Sequence, residues 1–175
     1  INMTDQSIRY EELPGKYQHL GGRALTSIMV NDEVPAKADP LGPENKLVCA
    51  PGFLTGTAMV NTSRLSVGGK SPLTGGIKES NVGGTVAFAL ARLGISALVL
   101  EGKPADDEYF MLRIDETGKV EIIKADDDKG LRTYALVEKL SDKYDDKHSI
   151  TCIGPAGDSQ LLSASIQTTD FDGRP

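Results

Sequence analysis

The stretch PGFLTGTAMVNTSRLSVGGKSPLTGGIKESNVGG, residues 51–84, is the feature around which the rest of the chain is organised. It contains eight of the chain's 19 glycines, with serines, threonines and three basic side chains between them. Glycine packs poorly in a core, but it lets the backbone approach a ligand closely and leaves N–H groups free to bind an anion. The stretch therefore predicts a binding surface for a phosphate-bearing cofactor.

The composition is that of an ordinary globular protein. A length of 175 residues suits one domain or two small ones, and 39% hydrophobic with 25% charged residues is typical of soluble proteins. The net charge of −6 argues against nonspecific binding to nucleic acid or to an anionic membrane. No apolar run approaches the ~20 residues that span a bilayer. We therefore expect a cytoplasmic protein.

Neither the cysteines nor the acidic residues form a recognisable catalytic or metal motif. Cys49 and Cys152 lie in apolar runs and are interpreted as buried structural thiols. The chain has no CxxC motif, so its sequence alone predicts no metal or iron–sulfur site. The acidic run at residues 126–130 lacks the spacing of a calcium loop and is interpreted as a solvated turn. The sequence thus predicts a binding site without visible catalytic residues.

Many short strands, few helices and frequent turns predict an α+β fold. Apolar spacing predicts helices at residues 17–30, 84–93 and 131–144. A glycine pair at residues 21–22 falls inside the first helix, which indicates either close packing against a neighbour or ligand, or a pair tolerated near the helix start. Strands are predicted at residues 1–12, 47–50, 64–68, 97–100, 109–114, 119–123, 149–153 and 161–166.

Two nucleotide-binding motifs are excluded. Gly69-Lys70-Ser71 resembles the end of a P-loop, but position 64, where that motif needs a glycine, is occupied by Arg64. Pro72 follows where the motif requires a helix. The chain also lacks GxGxxG, the fingerprint of dinucleotide-binding folds. A different mode of phosphate binding is therefore indicated.

Arg64, Asn81, Gly83 and Gly84 are the candidate binding residues. Arginine can hold a phosphate through two parallel hydrogen bonds. Asn81 at a predicted turn can offer its carbonyl or its side-chain amide, and the glycine pair opens a predicted helix. The alternative left open is that Asn81 caps the helix and Arg64 pairs with a surface carboxylate.

Motifs over nearly the whole chain resemble the N-terminal domain of the tungsten-dependent aldehyde ferredoxin oxidoreductase family. Each motif alone is weak, but their order and spacing together are specific. They are LGGRAL (20–25), DPLGPENKL (39–47), LTGT (54–57), SR (63–64), KSPLTG (70–75), SNVGG (80–84), EGK (101–103), IGPAG (153–157) and DFDGRP (170–175).

The resemblance implies a fold, a cofactor and a reaction. The fold is an α+β domain of two β-sheets with a few short helices, which spans residues 1–175 and forms the base for tungstopterin, a tungsten ion held by two molybdopterins. Family members oxidise aldehydes to carboxylic acids and pass electrons to ferredoxin. By this resemblance, Arg64, Asn81, Gly83 and Gly84 contact the pterin phosphates, and the Asn81 carbonyl helps to hold a bridging magnesium ion. Lys70 then has a structural or rim position.

Other parts of the family's site are expected outside this sequence. The family's Ala-Ala-Gly-Arg-Gly-Gly loop would begin after Pro175, and the 4Fe–4S cysteines, aldehyde channel and proton-transfer residues belong to later domains. We therefore expect a piece cut at both ends that is inactive alone. Residues 58–61, AMVN, depart from the family, which has small residues with proline or glycine there.

The expected partners follow from the same resemblance. They are ferredoxin and an aldehyde that reaches the cofactor through the other domains, with no nucleic acid or membrane, and with a homodimer left open. Two alternative functions are kept. One is a family relative with another substrate, such as an acid or aromatic reductase subunit, and the other is a free-standing, non-catalytic scaffold.

Overall fold

A four-stranded antiparallel sheet is the centre of the computed structural model, which describes residues 1–105, 108–144 and 147–175. The strands lie in the order β3-β2-β1-β4, and every neighbouring pair is antiparallel. Their bounds are Lys46–Pro51 (β1), Leu65–Lys70 (β2), Ile77–Val82 (β3) and Leu98–Glu101 (β4).

Two helices cover opposite faces of this sheet. Because side chains alternate along a strand, β1 contributes Val48 to one apolar cluster and Cys49 to the other. The first cluster packs under α1 (Gly22–Glu33) and the second under α2 (Val86–Arg92). The glycine-rich stretch therefore contributes two of the four strands of a sheet that is covered on both sides.

The helices and strands that follow β4 make up the C-terminal part of the chain. It consists of β5 (Phe110–Ile114), β6 (Val120–Lys124), α3 (Thr133–Tyr144), β7 (Thr151–Ile153), α4 (Pro155–Asp158) and β8 (Ile166–Thr168). β5 pairs with β6 and β7 pairs with β8, so each pair forms a two-stranded antiparallel sheet. Val137, Ile150 and Cys152 form its buried apolar cluster.

The α+β class is confirmed, together with most predicted elements. The described residues form one four-stranded and two two-stranded sheets, whereas the resemblance implied two sheets. The strands predicted at residues 47–50, 109–114 and 119–123 and the helix predicted at residues 131–144 all form, with small shifts at their ends. Both cysteines are buried free thiols, as interpreted from their apolar surroundings. Burial raises the pKa of Cys49 to about 11, so its thiol stays protonated at neutral pH.

Two predicted strands are wrong. In residues 1–12, only isolated bridges form, which join Asn2 to Ser7 and to Glu101. A turn occupies the start of the predicted strand at residues 161–166, where the Ala164 N–H donates to the Leu161 carbonyl, and β8 begins only at Ile166. Pairing of the first segment with β4 is confined to its first three residues, where the Met3 and Glu101 N–H groups donate to the Glu101 and Ile1 carbonyls. In the second segment the turn takes the place of the extended backbone that a ladder needs.

The first helix begins later than predicted because its glycine pair lies at its start. Gly21 is the extended residue before the helix, and Gly22 has φ of +51°. A Cβ atom on Gly21 would lie 2.5 Å from the Phe53 backbone nitrogen. Close packing against a neighbour thus explains Gly21, and the neighbour is the first turn of the glycine-rich stretch.

Lys70 has the structural role expected of it. Its Nζ donates to the carbonyl oxygens of Ala36 and Ala38, at 2.6 Å and 2.7 Å. These two carbonyls belong to the loop between α1 and β1. The ammonium group therefore ties this loop to the end of β2 instead of facing a ligand.

Replacement of Lys70 by methionine is expected to lower the free energy of unfolding by about 2 kcal/mol, since two charge-assisted hydrogen bonds are lost. Urea unfolding followed by circular dichroism measures the change. Lys78→Met is the matched control, because within the described residues the Lys78 Nζ bonds only the carbonyl of its neighbour Glu79. Equal stability of the two variants would contradict the role of Lys70.

The described residues contain neither a helix able to cross a membrane nor a metal cluster. None of their helices is long and apolar enough to span a bilayer. Within the same residues, no group of three or more His, Cys, Asp or Glu side chains is placed to hold a metal ion. Residues 126–128 of the acidic run form a short 3₁₀ turn, in which Asp126 and Asp127 are exposed and Asp128 is half-buried.

Candidate functional site

The register between β2 and β3 brings the four predicted binding residues together. Leu65 pairs with Val82, and Ser66 pairs with Asn81. Continuing this antiparallel register by one residue places Arg64 opposite Gly83. Residues about 20 positions apart in the chain therefore meet at one end of the sheet, where β3 is an edge strand.

The structure corrects the local prediction for Asn81. Asn81 lies within β3 and not at a turn, and no strand was predicted at residues 77–82. Its side-chain Nδ2 donates to Ser66 Oγ at 3.0 Å across the two strands. The helix that follows has Thr85 as its N-cap, without a side-chain capping bond. The alternative in which Asn81 caps this helix is therefore wrong.

Arg64 presents an unpaired guanidinium group at this end of the sheet. Its backbone is held, because its carbonyl accepts from the Gly52 N–H at 2.8 Å and its N–H donates to the Thr62 carbonyl at 2.9 Å. Its side chain is exposed, and no other described residue forms an ion pair or hydrogen bond with it. The alternative of a carboxylate partner finds no support in these residues, and the charge is available to an anion.

Gly83 and Gly84 lie beside Arg64, and glycine is needed at the two positions for different reasons. Gly84 has φ of +99°, and a Cβ atom there would lie 2.5 Å from the Thr169 carbonyl oxygen. Among the described residues, a Cβ on Gly83 would meet only Arg64 Nη1, at 3.5 Å, an ordinary contact. Gly84 is thus needed for the backbone path. Because Gly83 has no side chain, the backbone beside the guanidinium group stays accessible.

Hydroxyl groups hold the glycine pair in place. Ser63 Oγ donates to the Gly84 carbonyl at 3.0 Å, and Thr168 Oγ1 donates to the Gly83 carbonyl at 3.2 Å. The Thr85 N–H donates to the Thr169 carbonyl at 3.2 Å. Sequence reasoning missed these contacts, because the threonines lie more than 80 residues from the glycines and carry no motif. Only the tertiary fold brings β8 to this turn.

An ion pair between an exposed arginine and a buried glutamate side chain lies on the same edge strand. Arg23 Nε and Glu79 Oε2 are 2.9 Å apart, and the Glu79 side chain is only 8% exposed, whereas that of Arg23 is 74% exposed. Glu79 Oε1 is buried without a hydrogen-bond partner in the described residues. The pair ties the first turn of α1 to β3, two residues before Asn81. It therefore stabilises the strand that carries Asn81 toward the glycine pair.

This arrangement suits the binding of an anionic group. It combines a free guanidinium group, a low glycine surface and a backbone whose carbonyls are held by hydroxyls. Groups of this kind bind phosphate oxygens in many proteins. The residues gathered here are binding groups, and none is assigned a catalytic role.

Comparison with known proteins finds similarity over almost the whole chain. A family model described as aldehyde ferredoxin oxidoreductase, N-terminal domain, matches residues 1–174. The tungsten-containing aldehyde ferredoxin oxidoreductase of Thermococcus kodakarensis is 39% identical over 171 residues, which are 95% of this chain and 27% of the relative. The enzyme of the same name from Pyrococcus abyssi is 36% identical over 169 residues, with the same coverage.

Two further proteins with other names are similar to the chain. The aliphatic sulfonate oxidoreductase, WOR-like subunit, of Pyrococcus furiosus is 24% identical over 183 residues, 96% of this chain and 29% of the relative. A solved structure, the active site complex BamBC of benzoyl coenzyme A reductase in complex with 1,5-dienoyl-CoA, has a TM-score of 0.89. It is 29% identical and covers 96% of this chain and 26% of its own. The chain thus spans little more than a quarter of the length of the curated relatives that it matches.

Proposed function

This chain belongs to the aldehyde ferredoxin oxidoreductase family, and we therefore propose that it is the cofactor-base domain of a tungsten-containing oxidoreductase. The observation that carries the proposal is the unpaired Arg64 beside Gly83 and Gly84. A phosphate-bearing cofactor would give this guanidinium group the anionic partner that no described side chain supplies.

The residues at this end of the sheet fit a dipterin cofactor with phosphate groups. Arg64 would bind phosphate oxygens, and Gly83 and Gly84 would let those oxygens approach the backbone. The main-chain carbonyl of Asn81 would contribute an oxygen ligand to a magnesium ion that accompanies the cofactor, since Mg²⁺ prefers oxygen ligands. Asn81 suits this role because its side chain is already bound to Ser66 and because β3 is an edge strand.

The roles of these residues are to bind and to orient. When bound, tungstopterin would supply the two-electron chemistry by which an aldehyde and water become a carboxylic acid, with electrons passing to ferredoxin. Arg64 would neutralise phosphate charge, and the turn at Gly83 and Gly84 would orient the backbone toward the phosphate. Because the surrounding sheet is packed on both faces, it would hold these residues in place around the phosphates.

The remainder of the enzyme would be supplied by other domains. We propose that residues 1–175 form one domain of a longer cytoplasmic protein, in which the 4Fe–4S cluster and the aldehyde channel lie in later domains. Ferredoxin would accept the electrons, and a homodimer is compatible with this arrangement. The 175 residues alone are then expected to be inactive.

Replacement of Arg64 by alanine in the longer enzyme tests the proposal. The expected result is about a tenfold or greater loss of cofactor affinity, because a charge-assisted contact to phosphate contributes about 1.5–3 kcal/mol. Tungsten and pterin per polypeptide are measured by mass spectrometry and by pterin fluorescence after oxidation. Arg64→Lys, which keeps the charge without the two-pronged geometry, should give an intermediate content.

Arg9→Ala is the matched control for Arg64→Ala. Arg9 is also an exposed arginine, but it pairs with Glu101, which lies at the opposite end of the four-stranded sheet. Its loss should leave the cofactor content unchanged. Unchanged tungsten and pterin content in Arg64→Ala would remove Arg64 from the site, and a wild-type enzyme without pterin would favour the scaffold alternative.

A second candidate function is a family relative with another substrate. The similarity to the benzoyl coenzyme A reductase complex, with a TM-score of 0.89, and to a sulfonate oxidoreductase subunit favours its consideration. Both functions would use the same cofactor base, so Arg64→Ala does not separate them. A panel of aldehydes assayed with a viologen dye does, because the second candidate predicts oxidation of none of them.

A further inference from the structure

The peptide unit between Gly83 and Gly84 is held in one orientation by a single side chain. Its carbonyl oxygen accepts from Thr168 Oγ1 at 3.2 Å. Throughout the three described ranges, no other hydrogen bond reaches this peptide unit. The carbonyl and N–H of a trans peptide point in opposite directions. The Gly84 N–H is therefore turned away from Thr168.

Glycine alone does not determine this orientation. Rotation of the peptide unit changes ψ of Gly83 and φ of Gly84, and glycine adopts positive and negative φ about equally readily. Gly84 lies at φ of +99°. A flipped peptide would present a carbonyl oxygen where the N–H now points, and an oxygen there would repel an anion. The hydrogen bond from Thr168 is what opposes this flip.

The next peptide unit, between Gly84 and Thr85, does not need such a contact. Its carbonyl accepts from Ser63 Oγ at 3.0 Å, and its N–H donates to the Thr169 carbonyl at 3.2 Å. Both ends of this unit are thus held, one by a side chain and one by a backbone. The orientation of the glycine turn accordingly depends most on its first peptide unit.

Thr168 is itself held firmly. It is the last residue of β8, it pairs with Thr151 of β7, and its side chain is buried at 8% exposure. The next residue, Thr169, accepts from the Ile150 N–H through Oγ1 at 3.0 Å. The small β7–β8 sheet therefore delivers the hydroxyl to the glycine turn from a fixed position.

We infer that Thr168 is a positioning residue, whose hydroxyl orients the Gly83–Gly84 peptide so that the Gly84 N–H is presented to the phosphate monoester of a pterin. The inference rests on the function proposed above. Thr168 does not touch the ligand in this scheme. It acts through the peptide, and it adds a determinant from the C-terminal part of the chain to a site otherwise built from residues 64–84.

Two matched pairs of variants in the longer enzyme test the hydroxyl. The first pair compares wild type with Thr168→Val, which loses the hydroxyl at nearly constant side-chain volume. The second pair compares Thr168→Ser with Thr168→Ala, which differ in the hydroxyl and both lack the methyl group. Within each pair, loss of the hydroxyl should lower cofactor affinity about fivefold or more, since one net hydrogen bond contributes about that factor. The readouts are tungsten and pterin content at limiting tungstate, and the melting temperature of the cofactor-free enzyme. Thr117→Val, in the hairpin turn, is the control for loss of a threonine hydroxyl.

The outcomes separate this inference from the proposed function. The positioning role is supported if Thr168→Ser keeps the tungsten and pterin content of wild type, Thr168→Ala and Thr168→Val lose it, and the melting temperature is unchanged. Equal loss in Thr168→Ser and Thr168→Ala assigns the effect to packing and overturns it. Full content in Thr168→Val, beside a loss in Arg64→Ala, overturns it while the proposed function stands. A wild-type enzyme without pterin overturns both. If Thr168→Val does not fold, the serine and alanine pair decides.

Discussion

Replacement of Gly84 by alanine is expected to lower the free energy of unfolding by about 3 kcal/mol. A non-glycine residue at φ of +99° is strained, which costs about 1–2 kcal/mol. The added Cβ would also lie 2.5 Å from the Thr169 carbonyl oxygen, so the backbone of one segment must move. Forced shifts of this kind cost about 1–3 kcal/mol. Urea unfolding followed by circular dichroism measures the total.

Gly83→Ala is the matched control for this variant. The Cβ atom on Gly83 would contact only Arg64 Nη1, at 3.5 Å, and the end of an exposed side chain can move. Stability should therefore change by less than about 1 kcal/mol. In the cofactor-loaded enzyme Gly83→Ala should still reduce cofactor content, because the methyl group raises the surface beside the guanidinium. Similar unfolding energies for the two variants would show that the backbone path through Gly84 is not as described.

Leu65→Ala is expected to cost about 3 kcal/mol, within the range for large-to-small substitutions in a core. The Leu65 side chain is 1% exposed and packs with Cys49, Ala87 and Leu90 beneath α2. Its removal leaves a cavity between the sheet and this helix. Because Leu65 follows Arg64 directly and pairs with Val82, the cavity should also loosen the end of the sheet where the binding residues meet.

Leu73→Ala serves as the control for the leucine substitution. Leu73 lies in the same glycine-rich stretch, in the turn between β2 and β3, but its side chain is 65% exposed. The expected change is within about 0.5 kcal/mol. A comparable loss from both substitutions would mean that Leu65 is not part of a closed apolar cluster. The urea concentrations at the unfolding midpoints of Leu65→Ala and Leu73→Ala are compared at an equal dependence of the unfolding free energy on urea.

The elements that sequence reasoning found are those with a strong local pattern. The helix α3 shows apolar residues at helical spacing, and the hairpin of β5 and β6 has its turn residues between two apolar runs. The strand β3 was missed because its residues, IKESNV, are mostly exposed on an edge strand and show no apolar alternation. Its extended form depends on pairing with β2, which is a tertiary contact. The same reason explains why Asn81 was placed at a turn.

The candidate site divides in a similar way. Arg64 and the glycine pair could be selected from the sequence, because a lone arginine among glycines suggests anion binding and because family motifs surround it. Thr168 and Ser63 could not, since a buried threonine or serine that bonds a distant carbonyl looks like any other. The resemblance predicted a structural or rim position for Lys70, but its two carbonyl partners, in the loop between α1 and β1, were found only in the structure.

By itself, the sequence determined the class of fold, the family and the residues able to bind an anion. Those properties depend on residue type and on spacing along the chain, which can be read without coordinates. Only the tertiary structure decided that Arg64 stands opposite Gly83, that its charge is unpaired in the described residues, and that Thr168 reaches the glycine turn. These facts depend on strand register and on contacts across about 85 residues, and such contacts leave no periodic signal in the chain.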